Sequence, residues 1–62
     1  MRRGKFVKFR GTDGKYYWHL KSGNGEIIAA SQGYLSQQAR DKGVSAVRRV
    51  ALLARVVVGV GE

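Results

Sequence analysis

The first half of the chain alternates between apolar or aromatic residues and polar residues, with a period of two. Residues 5–10 read Lys-Phe-Val-Lys-Phe-Arg, which mixes aromatic and β-branched residues with cations. Within residues 15–21, side chains alternate between two sides of the chain. One side carries Tyr16, Trp18 and Leu20, and the other carries Tyr17, His19 and Lys21. Such alternation is typical of a strand with one buried face. We therefore predict strands over residues 5–10 and 15–21, with Trp18, Tyr16 and Phe9 in the core.

Two glycine-containing turns punctuate this region. The pair Asp13-Gly14 follows the first predicted strand and the pair Asn24-Gly25 follows the second. Both pairs favour tight hairpins, because glycine accepts a positive φ. The next residues, Glu-Ile-Ile-Ala-Ala, predict a third strand over residues 26–30. Two tight turns that join three strands indicate an antiparallel meander.

After residue 36 the apolar residues recur with the helical period. Ser36 is a good N-cap, because its hydroxyl can accept a free backbone N–H of the first turn. The residues that follow place one stripe on a single side of a helix: Ala39, Gly43, Ala46, Val47 and Val50. We predict a helix over residues 37–51. Since a glycine weakens a helix, Gly43 either marks a close approach of this helix to the sheet or is merely tolerated there.

The last apolar segment has a different character. Residues 55–60 contain four valines and a glycine, which favour a strand over a helix. A free tail of this composition would expose a hydrophobic edge, which soluble proteins avoid. We therefore expect residues 55–60 to be paired, either in the sheet of the same chain or in that of a partner. The predicted order is β-β-β-α-β, an α+β single domain over residues 1–62 with one helix on one face of an antiparallel sheet.

Length and composition narrow the classes of function. The chain has 62 residues, no cysteine and one histidine, so thiolate chemistry, disulfides and a cysteine zinc site are excluded. The few carboxylates, separated along the chain, suggest no catalytic or metal-ligating set. We predict that the protein is not an enzyme and needs no cofactor or metal. The longest apolar-rich segment, 50–60, includes Arg55 and is too short to span a bilayer, so we expect a cytoplasmic protein without membrane contact.

Charge suggests one possible ligand class. Twelve Lys and Arg residues against four Asp and Glu residues give a net charge of +8. Cations beside aromatic residues on an open sheet can follow phosphates and stack bases. The candidate nucleic-acid-binding residues are Tyr17, His19 and Lys21 on one side of the second strand, together with Lys8 if the hairpin register puts it on the same face. The alternative is that this charge serves solubility and that Arg48 and Arg49 complement the helix dipole.

Four blocks of the sequence carry a family resemblance. Residues 14–21 read GKYYWHLK and residues 24–29 read NGEIIA. They are followed by Gly33-Tyr34 with Ser36, and by residues 43–49, GVSAVRR. This pattern resembles the YegP-like family, small bacterial and archaeal proteins of unknown function. His19 stands where that family usually has arginine.

The resemblance implies an assembly as well as a fold. In the YegP-like family, two β(3)-α-β units, in tandem or on two chains, build one sheet and exchange their C-terminal strands. The present chain carries one unit, so the resemblance implies a homodimer with its interface at Val56, Val57, Val58 and Val60. The family supplies no catalytic residue or ligand. The leading hypothesis is a structural or interaction module in a strand-exchanged homodimer; the alternative is a basic nucleic-acid-binding accessory protein using the open sheet face.

Overall fold

The computed structural model describes residues 3–61 as three strands followed by one helix. The strands are β1 (Lys5–Arg10), β2 (Tyr16–Lys21) and β3 (Ile27–Ala30), and the helix is α1 (Gln37–Leu53). This arrangement confirms the predicted α+β class. Strands β2 and β3 each begin one residue later than predicted. The predicted domain also includes Met1, Arg2 and Glu62, which lie outside the described residues.

The sheet is an antiparallel meander in the order β1-β2-β3. Its two hairpins turn at the predicted glycines, since Gly14 has φ 82° and Gly25 has φ 91°. Each turn is closed by a backbone hydrogen bond, from Gly14 N to Gly11 O at 3.0 Å and from Gly25 N to Ser22 O at 2.9 Å. A bulge shifts the register of β3 against Leu20 and Lys21. The local turn chemistry therefore produces the predicted strand order.

The chain continues beside β2 after β3 has ended. Ser31 N donates to Trp18 O at 2.9 Å, and the Ser31 hydroxyl accepts from Trp18 N at 2.9 Å. Further along, Tyr34 and Tyr16 exchange two backbone hydrogen bonds, at 2.8 and 2.9 Å. These contacts fix the segment that leads into the helix, and so determine where α1 starts over the sheet.

Helix α1 begins as predicted and ends two residues later than predicted. Ser36 has extended backbone angles, and its side-chain oxygen accepts from Ala39 N at 3.1 Å. At the other end the helix runs to Leu53, whereas the prediction ended at residue 51. Alanine and leucine have high helix propensity, so residues 51–53 continue the helix and the valine-rich segment begins beyond it. Ala54 is the first extended residue, with φ −70° and ψ 137°.

The predicted strand over residues 55–60 forms no ladder within the described part of this single chain. Residues 54–60 form no strand, and their side chains are exposed. The exposed fraction is 97% for Val56, 95% for Val58 and 100% for Val60. A strand requires a neighbour to accept its backbone hydrogen bonds. Pairing of this segment in its own sheet is therefore not observed, and pairing with a second chain stays a prediction.

The core is centred on Trp18, as predicted. Trp18 is 5% exposed, and its ring meets that of Phe6 edge-on with centroids 5.3 Å apart. The expected close approach of Gly43 is also confirmed. A Cβ atom at Gly43 would lie 2.9 Å from Tyr34 Cζ and 3.4 Å from Trp18 Nε1. Phe9, which was predicted to join this core, instead lies on the opposite side of the sheet.

Candidate interaction surfaces

The register between β1 and β2 assigns each side chain to one of two faces, because directly opposite residues in an antiparallel pair share a face. The face under α1, here called the helix face, carries three cross-strand pairs: Phe6 with Leu20, Lys8 with Trp18, and Arg10 with Tyr16. The other face, here called the open face, carries the alternating set: Lys5 with Lys21, Val7 with His19, and Phe9 with Tyr17.

Three of the four predicted nucleic-acid-binding residues share the open face. Tyr17, His19 and Lys21 lie there because they alternate with Trp18 along β2. Lys8 does not join them. It lies opposite Trp18 on the helix face, and its Nζ is 3.3 Å from Asp41 Oδ1. The inclusion of Lys8 depended on the hairpin register, and that register places it on the helix face instead.

Phe9 is an open-face residue that the sequence analysis assigned to the core instead. Its ring stacks on that of Tyr17, with centroids 5.5 Å apart and planes inclined by 13°. The ring of His19 approaches Phe9 edge-on at 4.7 Å and 64°. Alternation along β1 puts Phe9 on the same side as Lys5, but only the pairing of β1 with β2 brings this side next to Tyr17. The open face thus holds three half-buried rings, with Phe9 in contact with both Tyr17 and His19.

A turn carboxylate anchors one of these rings. The Tyr17 hydroxyl donates a hydrogen bond to Asp13, whose other oxygen accepts from Lys15 N at 2.9 Å. The bond from Tyr17, supported by that from Lys15, holds the pKa of the Asp13 carboxyl below its ordinary value. The same bond raises the pKa of the Tyr17 phenol, because ionisation would lose the donor and place two negative charges together. Tyr17 is therefore held at the hairpin end of the open face.

On the helix face, the cationic side chains contact groups of the protein itself. Arg40 is 8% exposed, and its guanidinium carbon lies 5.5 Å from the centroid of the Tyr16 ring; Arg10 lies 5.3 Å from the same centroid. Arg40 Nε donates to Asp41 Oδ1 at 3.1 Å. Partial burial raises the pKa of the Asp41 carboxyl, but the hydrogen bonds from Arg40 and Lys8 outweigh it and lower this pKa overall. These cations join β1 and β2 to α1.

A second surface is apolar. From residue 48 onwards every described side chain of α1 and of the following segment is exposed. We call residues 50–60 the C-terminal apolar segment. Its large exposed side chains are Val50, Leu52, Leu53, Val56, Val57, Val58 and Val60. Ile27 and Ile28 on the edge strand β3 are exposed as well. So many exposed large apolar side chains make the C-terminal apolar segment a candidate interaction surface.

Candidate chemistry in the described residues is sparse. Among residues 3–61, no group of three or more His, Cys, Asp or Glu side chains is arranged to hold a metal ion. No helix in this part of the chain is both long and apolar enough to cross a bilayer.

The fold is that of a small, one-helix α+β module, and comparison with known proteins identifies its family. Residues 12–57 match the family described as a domain of unknown function, DUF1508. The chain belongs to this family, and the predicted YegP-like relationship is confirmed by its relatives.

Relatives of two lengths are similar to this chain. A UPF0339 protein from Methanosarcina acetivorans is 43% identical over 54 residues, which are 87% of this chain and 93% of that protein. The UPF0339 protein YegP of Escherichia coli K12 is 36% identical over 44 residues, which are 71% of this chain and 40% of YegP. A solution NMR structure of a protein from Haloferax volcanii superposes with a TM-score of 0.79 at 35% identity, covering 95% of this chain and 100% of the other.

Proposed function

We propose that this protein is a non-enzymatic interaction module that works as a homodimer, in which each chain lends its C-terminal apolar segment to the sheet of the other. The main observation in support of this proposal is the exposure of that segment: Val56, Val58 and Val60 are almost fully exposed in their own chain. Each valine would contribute about 1.5 kcal/mol or more if it were buried. The sum is a large part of the stability available to so small a domain.

The exposure along helix α1 supports a second copy of this chain as the binding partner. Only its N-terminal part covers the sheet, where Ala39, Arg40, Gly43 and Val47 are buried or half-buried. Its last turns, from residue 48 to Leu53, have no sheet beneath them in the described chain. A sheet extended by a second chain would lie under these turns and would cover Val50 and Leu53.

The sheet also offers places for an added strand. In the described residues β1 and β3 each pair only with β2, so both have a free backbone edge. Residues 55–60 are as many as the six residues of β1 and follow an extended Ala54. An added strand would satisfy backbone groups on both partners while burying valines. It would also cover an edge that otherwise invites uncontrolled pairing.

The relatives of greater length are consistent with a paired unit. The aligned segment covers 40% of YegP and 44% of the UPF0339 protein from Stutzerimonas stutzeri. Each of these proteins has room for two units of this size in one chain. A homodimer of the present chain would reach the same content with two chains.

Sedimentation equilibrium of the full chain tests this proposal. The double variant Val56→Asp/Val58→Asp should be monomeric or unfolded, because it places charges where apolar burial is proposed. The control is Gln37→Asp/Gln38→Asp, which adds the same charge at exposed helix positions and should stay dimeric. A wild-type chain that is folded and monomeric by sedimentation and circular dichroism would contradict the proposal, as would a folded monomer lacking residues 56–62.

A second candidate function is nucleic-acid binding as a basic accessory protein. The observation in its favour is that the register joins Phe9 and Lys5 to Tyr17, His19 and Lys21 on one face. Anisotropy titrations with labelled single-stranded RNA and DNA test it. Electrostatic binding should weaken strongly between about 50 and about 200 mM salt. Absence of binding at the lower salt concentration would remove this candidate and leave the homodimer proposal untouched.

A further inference from the structure

Resting on the second candidate function, we infer that the open face recognises unpaired bases rather than a duplex. The rings of Phe9 and Tyr17 form a stacking end, and the side chains of Lys5 and Lys21 form a phosphate-binding end. The ligand is a single-stranded nucleic acid lying along β1 and β2.

The stacking end is already organised. Phe9 and Tyr17 are stacked with centroids 5.5 Å apart, and His19 abuts Phe9 at 4.7 Å. The bond from Tyr17 to Asp13 restricts the phenol ring before any ligand arrives. Rings held in place lose little conformational entropy when a base stacks on them, which favours binding. Stacking tolerates any base, because every base has a π-face.

The phosphate-binding end has an electrostatic reason to bind an anion. Lys5 and Lys21 are direct cross-strand partners, and like charges in that arrangement destabilise a sheet. Both ion pairs found among residues 3–61 involve Asp41, so neither neutralises this lysine pair. A phosphate placed between the two ammonium groups would relieve their repulsion.

The two ends lie at a separation that suits a polynucleotide backbone. Lys5 and Phe9 are four residues apart on one strand, which corresponds to about 13 Å along β1. Asp13 stands beside the stacking end and would repel a phosphate there, so it directs the backbone towards the lysines. In a duplex the π-faces of the bases are occupied by their neighbours. The stacking end is therefore useful only for unpaired bases.

Paired substitutions on the two faces test the inference with the full-length chain. Phe9→Leu keeps apolar bulk but removes the ring, and should weaken binding of a labelled single-stranded oligonucleotide about tenfold. Phe6→Leu is the same substitution on the helix face and should leave the affinity unchanged. Lys21→Gln should reduce the dependence on salt by about one unit of slope. Lys42→Gln removes the same charge from the exposed side of α1 and should have a smaller effect.

The outcomes distinguish a failure of the proposed stacking site from a failure of nucleic-acid binding as a whole. A preference for the single strand over a duplex of the same sequence, lost in Phe9→Leu and kept in Phe6→Leu, supports the inference. The stacking site is overturned if single strand and duplex bind equally, Phe9→Leu has no effect and the removal of any lysine has the same effect. Nucleic-acid binding as such would remain supported. No binding of either ligand at low salt overturns both. Circular dichroism of each variant shows whether a loss of binding reflects unfolding. If Phe9→Leu unfolds, Tyr17→Phe replaces it as the test, because it keeps the ring and frees it from Asp13. Tyr17→Phe should weaken binding, and an unchanged affinity would count against the stacking site.

Discussion

Lys8 and Asp41 form an ion pair that ties β1 to α1, with Lys8 Nζ 3.3 Å from Asp41 Oδ1. Arg40 donates to the same carboxylate oxygen from the adjacent position on the helix. One acidic side chain therefore meets two cations at the contact between helix and sheet. Two of the twelve Lys and Arg side chains are thus paired with a carboxylate between helix and sheet.

We expect Asp41→Asn to lower the free energy of unfolding at neutral pH. The pKa of Asp41 is below its ordinary value of 3.8 in the folded protein, so the ionised form favours folding. This contribution is present above the unfolded-state pKa and is lost as the pH falls through the folded-state value. Urea unfolding at pH 7 and at about pH 2 measures it. The difference between wild type and Asp41→Asn should shrink at the lower pH; a constant difference would show that charge is not the cause.

Trp18→Ala should destabilise the protein by about 3–5 kcal/mol, because a large ring leaves the centre of a small core. The tryptophan is 5% exposed and is the only one in the chain, so its fluorescence reports this site alone. Emission of the folded wild type should be blue-shifted and should move to the red on unfolding. Emission typical of water-exposed tryptophan in the native state would contradict the burial of this ring. Trp18→Phe should lower the free energy of unfolding by less, because it removes less side-chain volume from the core.

Gly43→Ala should destabilise the protein although alanine favours a helix by about 1 kcal/mol over glycine. The added methyl group would meet the Tyr34 ring, with Cζ 2.9 Å from the new Cβ. The double variant Gly43→Ala/Tyr34→Leu should recover stability relative to Tyr34→Leu alone. Thermal unfolding of the four proteins in this cycle gives the coupling between the two sites. Additive effects would show that the two residues do not interfere.

Asp13→Asn should lower the pKa of the Tyr17 phenol. In the wild type that pKa is raised by the hydrogen bond to Asp13, so the proton is held to higher pH. An ultraviolet titration should show one of the three tyrosines ionising at lower pH in Asp13→Asn than in wild type. Tyr17→Phe removes the phenol and identifies its share of the signal. Superposable titrations of wild type and Asp13→Asn would contradict this hydrogen bond.

The sequence alone determined the local elements, and it did so through short-range physics. Period-two alternation predicted β1 and β2, the Asp13-Gly14 and Asn24-Gly25 pairs predicted their turns, and Ser36 predicted the first turn of α1. Each of these features depends on residues close in the chain, whose backbone preferences and caps are readable without tertiary contacts. The burial of Trp18 followed from the same alternation. The end of α1 was misplaced because alanine and leucine suit a helix and leave its boundary with a valine run undefined.

The tertiary structure decided which residues meet across strands and between strand and helix. Pairing of Arg10 with Tyr16 sets the β1–β2 register, and that register places Lys8 under α1 and Phe9 beside Tyr17. A shift of one residue would exchange the two faces of β1, so alternation along one strand cannot choose between them. The contact of Lys8 with Asp41 joins residues far apart in sequence, and no local pattern indicates it. Residues 55–60 form no strand in the described part of this single chain, so the strand predicted there from the valine run stays a prediction.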